Sequence, residues 1–373
     1  MSSSNSHSGL PLLLALIILC AVFTTTASAQ ADAPLTSQEF VRLLYQLPAH
    51  PEKKDELVGE VRRRGIGFAL SDGMRSLVAT KSGNDVLLRR TLEEAERRRV
   101  NPTASALPSE QEASELLENA RAATIAASEA MPDFIVKQLI TRAYARGRFI
   151  NWTVQDHLTL AVSYRASAGE EYKVLSVNGQ PPANETKESG SYAQLGGSSS
   201  SGEYVSGLAA VFKPESRAVF QVVDTDTLRN RRAVVYEYSV KRENSKLSLS
   251  ISGSNSVITA YRGRVWIDRE NYRVLRFETI AVEIPTDFPM TAGGSTIDYD
   301  WVTINEQRYL LPSAAEVRMT VGRNEQAVHT RNEIRFRGYQ KFGAEVKILD
   351  DVDPDEEPET KPESKPVTKP PQR

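Results

Sequence analysis

The sequence predicts an α+β protein: one large, strongly twisted antiparallel β-sheet with a long helix placed to lie across it, preceded by a small all-α bundle. Three observations predict it. Capped segments with helix-period apolar positions fill residues 30–100, period-two alternation runs from Asp133 to Leu349, and the turns between strand segments are too short for parallel crossovers.

Residues 1–29 read as a signal peptide. Leu10 to Phe23 is an apolar run broken only by Pro11, and Ala27-Ser28-Ala29 has the small-x-small form that signal peptidase cuts, here after Ala29. The run is shorter than the roughly 20 residues a spanning helix needs. The preceding MSSSNSHSG holds no Lys or Arg, and an uncleaved anchor is the alternative. Cleavage implies a periplasmic or secreted protein, with membrane association peripheral at most. Cys20 is the only cysteine and lies inside this run, so the mature chain has no disulfide, thiolate ligand or thiol nucleophile.

Thr36-Ser37-Gln38-Glu39 matches a capping box that opens a helix with Phe40, Leu43, Leu44 and Leu47 on one face. Pro51 to Arg64 gives a second helix stopped by Gly65, Ser71 or Asp72 caps a third that ends near Gly83, and Asn84 caps a fourth that runs to about Arg99. The triplets Arg62-Arg63-Arg64 and Arg97-Arg98-Arg99 fall at helix C-termini, where cations complement the dipole. A nucleic-acid partner is therefore not expected. Within residues 101–132, a linker from Asn101 to Pro108 precedes a long helix that Ser109 caps and Met131-Pro132 ends.

Residues 133–349 form the sheet domain. Leu158, Leu160, Val162 and Tyr164 alternate with polar or small neighbours, as do Val234 to Val240 and Ala315 to Val321. Tyr261 to Phe277 reads as strand, turn at Arg269-Glu270-Asn271, strand. A polar insert, Pro181 to Gly202, carries GGSSSSG, and Gly207 to Phe212 continues into a short helix. Residues 350–373 hold eight acids, four bases and many prolines, and a disordered tail is expected; the whole chain has a net charge of −2.

Several strands are apolar on both faces, with Val219 and Val223 on one side of their strand and Phe220 and Val222 on the other. Such a sheet needs cover from helices or from a ligand. Trp266, Phe277, Trp301, Phe220 and Val222 are the candidate ligand-binding residues, with ordinary core packing as the alternative for each.

Gly263-Arg264-Val265-Trp266-Ile267-Asp268, Val274 to Phe277, Leu311 to Met319 and Ile334 to Tyr339 together resemble the lipoprotein-carrier (LolA/LolB/RseB-like) superfamily. The resemblance covers residues 133–349. It implies a half-barrel lidded by helices that holds acyl chains or a lipoprotein in the periplasm. The helical module, the Ser/Gly insert and the charged tail depart from that pattern, and no functional residue is carried over individually.

Catalytic patterns are missing from the sequence. The mature histidines, His50, His157 and His329, form no HExxH or i, i+4 pair, and Asp156 and His157 point to opposite faces of a strand. In the phosphate-loop-like Gly197 to Gly202, Glu203-Tyr204 stand where Lys and Ser/Thr are required. Asp298, Asp300 and Glu306 lack a calcium-loop pattern. No catalytic residue, metal or cofactor is assigned. The expected function is non-enzymatic binding of an acyl chain, a lipoprotein or an envelope protein partner. A self-filled scaffold is the first alternative, and a serine hydrolase using Ser199, Ser200 or Ser201 with His157 the second. Asn151-Trp152-Thr153 and Asn184-Glu185-Thr186 are glycosylation sequons only in a eukaryotic host.

Overall fold

A computed structural model describes residues 33–103, 105–147, 150–182, 192, 195, 197–201, 203–251 and 255–342. The signal peptide and the charged tail lie outside the described residues, as do several residues of the insert. The chain divides into two compact units between Pro102 and Thr103.

In the first unit the helices are α1 (Ser37–Leu44), α2 (Lys54–Arg64, entered through a 3-10 turn at Pro51–Lys53), α3 (Asp72–Lys81) and α4 (Val86–Val100). Each starts where a side chain or a turn supplies the missing partners of the first amides. Thr36 accepts from the Glu39 amide, and Ser71 from that of Met74. Asp85, not Asn84, caps α4 by accepting from the Leu88 amide. Asn84 instead takes a left-handed φ of 63°, a conformation its short polar side chain tolerates. Phe40, Leu44, Val61, Leu88 and Leu92 fill a core that belongs to this unit. The basic triplets are engaged in ion pairs: Arg64 grips Glu39 at 2.7 and 2.9 Å, Arg63 meets Glu60, and Arg99 meets Glu96.

The second unit begins with α5 (Glu110–Glu129), capped by Ser109, and continues into β1 (Phe134–Arg146), β2 (Thr153–Arg165), β3 (Gly169–Val177) and α6 (Val205–Phe212). Then follow β4 (Val219–Leu228), β5 (Arg231–Val240), β6 (Ser248–Ile251), β7 (Asn255–Ile258), β8 (Ala260–Asp268) and β9 (Val274–Val282). The last three are β10 (Met290–Ile304), β11 (Gln307–Val321) and β12 (Val328–Lys341). Ten strands make one open sheet in the order β3-β2-β1-β12-β11-β10-β9-β8-β5-β4, and β6 and β7 form a separate hairpin. Every pairing is antiparallel. Two-residue turns enforce this: Arg229-Asn230 and Asn305-Glu306 both have positive φ at each position, the primed turn whose twist suits a tight hairpin. The last strand returns beside β1, so the ends of the sheet domain are neighbours.

One face of the sheet carries the main core. Phe134, Val136 and Ile140 of β1, Tyr236 and Tyr238 of β5, Val265 and Ile267 of β8, Ile297 and Tyr299 of β10, and Leu116 and Ala120 of α5 all belong to it. Helix α5 is fixed there by hydrogen bonds to its own carbonyls, from Tyr236 to Ala113 at 2.7 Å and from Arg273 to Ala123 at 2.6 Å. Arg121 of α5 donates to the last carbonyl of α6, at Phe212. The other face holds a smaller cluster of Val223, Ala233, Val235, Trp266 and Leu275. Both faces are apolar around β5 and β8, but Val219 on the edge strand β4 is exposed. Val223 takes the second face by simple alternation, and a bulge between Val222 and Asp224 then sets Asp224 opposite Val235 of that second cluster.

Candidate binding cavity

A hollow in the sheet unit measures about 940 Å³, within the usual range for small-molecule sites. Its apolar wall is built by Ile297 of β10, Val317 and Met319 of β11, Met290, and Leu247 and Leu249 at the β6 hairpin. Gly293 and Gly294 complete that wall with bare backbone, where a side chain on Gly293 would meet Leu249 and one on Gly294 the Thr279 carbonyl. Opposite stand Tyr164, Glu170 and Tyr172 of β2 and β3, with Tyr192, Ser199 to Ser201 and Glu203 from the insert and the segment after it. In a flat sheet, six strand spacings of about 4.8 Å would set β3 roughly 29 Å from β9. Residues of both strands line this one hollow, so the sheet bends around it.

The insert reaches the hollow because a buried polar cluster ties it down. Arg142 of β1 is 4 % exposed and pairs with Asp156 of β2 at 2.5 and 2.6 Å. The same guanidinium reaches the Ser198 carbonyl at 3.4 Å. Fully buried Asn332 of β12 donates to that carbonyl and accepts from the Ser198 hydroxyl at 2.8 Å. Gly197 adopts a φ of 98°, and a side chain there would run into Arg142 and Gln155. The next anchor is Tyr204, wholly buried between Phe134 and Phe336 and hydrogen-bonded by Gln138. Glu203 is held between these anchors.

Glu203 is 3 % exposed, and its Oε1 atom has no hydrogen-bond partner among the described residues. Tyr172 donates to Glu170 at 2.6 Å and lies 3.4 Å from the other Glu203 oxygen. Burial pushes the Glu203 carboxyl above its usual range, nearby Glu170 adds to the rise, and Ser200 and Tyr172 oppose it. The Ser200 hydroxyl is close enough to act on that carboxyl, yet it makes no well-formed hydrogen bond among the described residues. The Tyr192 hydroxyl stands beside Ser200, likewise without a well-formed hydrogen bond among the described residues, and burial pushes its pKa up to about 12.

This gives a signed pH prediction. A carboxyl whose folded pKa is raised contributes its stability below the unfolded value of 4.5 and loses it as pH rises through the folded value. Replacing Glu203 with Gln is therefore expected to raise the melting temperature at pH 8 and to leave it unchanged at pH 4; thermal melts at both pH values check this.

None of the five residues singled out in the sequence lines the hollow. Phe277 stacks on Tyr238 with ring centroids 5.4 Å apart, and Phe220 stacks on Phe212. Val222 packs beside them against the same core. Trp266 lies on the opposite face, buried, with its indole N–H donating to Asp226 at 2.9 Å. It shares that face with buried Arg264 and Asp268. Trp301 is half-buried under the Arg308 guanidinium, as Trp152 is under that of Arg331. Three of the five thus meet in one core, and the two tryptophans stand apart from it.

The other sequence candidates also have defined surroundings. Asp298 is held by Arg276 through two hydrogen bonds of 2.7 and 2.9 Å, with Arg229 at 3.5 Å. His157 meets Thr141, whereas its neighbour Asp156 meets Arg142 on the insert side, so His157 faces away from the insert serines. Sequence reasoning missed Glu203, Glu170, Tyr172 and Tyr192. Glu203-Tyr204 did stand out, as the pair that spoils a phosphate loop; a lone acid coupled to an aromatic at the end of a Ser/Gly run was the available signal.

No protein-family model matches the chain, and no curated protein matches it. Among solved structures, it is similar to a DUF1329 family protein from Desulfovibrio piger, at 9 % identity and a TM-score of 0.29, over 61 % of this chain and 94 % of that one. The MucA/MucB complex of Pseudomonas aeruginosa gives 8 % identity and a TM-score of 0.18, over 59 % of this chain and 94 % of the other. A second structure, of MucB in complex with MucA(peri), gives 8 % and 0.18 over 58 % and 93 %. TM-scores this far below 0.5 carry no argument about this chain. Among the described residues no helix is long and apolar enough to cross a membrane.

Proposed function

We propose that this chain is an exported, non-enzymatic binding protein of the cell envelope that holds an amphiphile, an apolar chain with a polar end, against its curved sheet. One observation carries the reading: a hollow of about 940 Å³ remains beside a core that α5 and α6 already cover, with an apolar wall on one side and the polar residues Glu170, Tyr172, Tyr192, Ser199 to Ser201 and Glu203 on the other. A self-filled scaffold would have no such space. The two helices cover the core beside the hollow, and the anchored insert closes its polar end. Burying a ligand chain against Ile297, Val317, Met319 and Leu249 contributes roughly 25 cal/mol for each Å² of apolar area removed from water.

Native mass spectrometry of the purified mature chain, before and after lipid extraction, tests this. A bound amphiphile is expected, and it should be lost in Ser295→Trp, which places an indole in the hollow from the middle of β10. A wild-type protein that carries nothing and gains no mass from added amphiphile would leave the scaffold. Binding that survives Ser295→Trp unchanged would put the ligand elsewhere.

A further inference from the structure

The outward face of the sheet, opposite the main core, carries a basic corner. Register places Arg337 of β12, Lys137 of β1, Ala161 of β2 and Lys173 of β3 in one row, and Arg335 stands in the next row beside Leu139. The row crosses four neighbouring strands, about 14 Å at three spacings of about 4.8 Å. Val136, Val174 and Phe336 alternate with these bases and fill the core, so the bases point away from it. Arg335, Arg337 and Lys173 are exposed. The acids that flank the corner already have partners: Glu333 pairs with Arg331 at 3.2 Å, Glu316 with Arg318 at 2.7 Å and Glu171 with Arg165 at 3.1 Å. Among the described residues, neither Arg335 nor Lys173 meets an acid.

The chain leaves β12 at the same corner. Phe342 donates its amide to the Asp133 carbonyl, and its ring lies under the Arg165 guanidinium at 5.2 Å. Arg165 also holds Glu171, which faces outward two residues before Lys173, so the chain is last fixed on the face that carries the bases. Asp350 follows eight residues later, and residues 350–359, DDVDPDEEPE, hold seven acids and no base. A flexible span of that length averages about 16 Å from end to end and reaches at most about 28 Å. The acidic run can therefore lie along the basic row.

We propose that this corner is a binding face for acidic polypeptide and that its occupant is the chain's own residues 350–359. The run has two prolines and Val352 as its one other apolar residue, so charge pairing and not packing supplies the attraction. Each such pair is weak at a surface. Tethering through a short span makes several of them sufficient together, because it sets an effective concentration on the order of millimolar. A second copy of the chain brings the same acids without that advantage.

The test is carbodiimide crosslinking of the full mature chain, which joins carboxylates to amines in direct contact, read by peptide mass spectrometry on the monomer. At about 10 mM salt, where charges act over roughly 30 Å, residues 350–359 are expected on Lys137 and Lys173 at least about fivefold more often than on exposed Lys213, Lys241 and Lys246. The preference should vanish at about 1 M salt, where that range falls to roughly 3 Å. It should vanish also in the double variant Arg335→Glu, Arg337→Glu, whose exposed changes are expected to leave the melting temperature within a few degrees. Should that variant fail to fold, the wild-type salt comparison decides alone. Crosslinks spread evenly over the five lysines, a preference that survives high salt or the folded double variant, or crosslinks confined to dimers would each overturn the proposal. So would their absence; if the wild type then sediments with phosphatidylglycerol vesicles and the double variant does not, the face belongs to an anionic membrane instead.

Discussion

Gly263→Ala is expected to cost about 3 kcal/mol or more, near the top of the range for overpacking a core. A Cβ built on Gly263 would lie 1.8 Å from the Glu278 carbonyl oxygen, 2.7 Å from its carbon and 2.8 Å from the Tyr238 hydroxyl. The carbonyl cannot retreat, because β8 and β9 are locked together by the ladder on both sides of Gly263. The Tyr238 hydroxyl cannot retreat either. It donates to that same carbonyl at 2.8 Å, from a ring that is 1 % exposed and stacked on Phe277. The substitution must therefore force a pair of central strands apart or break a buried hydrogen bond. The three tryptophans all lie in the sheet unit, so the melt followed by tryptophan fluorescence should fall by about 10 °C. Gly293→Ala is the control. Its new methyl is crowded only by the movable tip of Leu249 at 3.2 Å, with Met290 at an ordinary 3.7 Å, and a shift of at most a few degrees is expected.

Asp156→Ala should be comparably damaging, by about 3–5 kcal/mol, the usual result of removing one member of a buried ion pair. Arg142 would keep its contact with the Ser198 carbonyl but lose both charge-assisted bonds to the carboxylate while remaining at 4 % exposure. The double variant Arg142→Leu, Asp156→Leu separates charge from packing. It should recover most of the loss, because two apolar chains in that place leave no uncompensated charge. A double variant as unstable as Asp156→Ala would mean that packing and the insert anchor, not the lost Arg142–Asp156 pairing, account for the cost. Because the same cluster holds Ser198, amphiphile binding should weaken in both variants by more than stability alone explains.

Legibility differed sharply between elements and site. The helix ends and most turns were visible because their causes are local: a hydroxyl that caps an amide at Ser109 or Ser71, and a left-handed residue at Gly65 or Gly169. Even there, one step of the α4 start went astray, since Asn84 and Asp85 are both good caps and only the backbone angle of Asn84 separates them. The two-faced apolar strands were visible too, but which residues would line empty space was not. Phe220 and Phe277 look like ligand contacts in the chain, and Phe212 and Tyr238 fill the space beside them in the fold.

By itself the sequence determined the capped helices, the period-two strands, their antiparallel joining and the tight turns, because each rests on interactions spanning a few residues. The tertiary structure alone decided that β12 closes on β1, that the sheet bends until β3 and β9 border one hollow, and that Arg142 and Asn332 pull Ser198 across to hold Glu203 at its polar end. Asn332 and Ser198 are 134 residues apart along the chain. Contacts over such separations follow from how the whole sheet packs and leave no local pattern in the residues that make them.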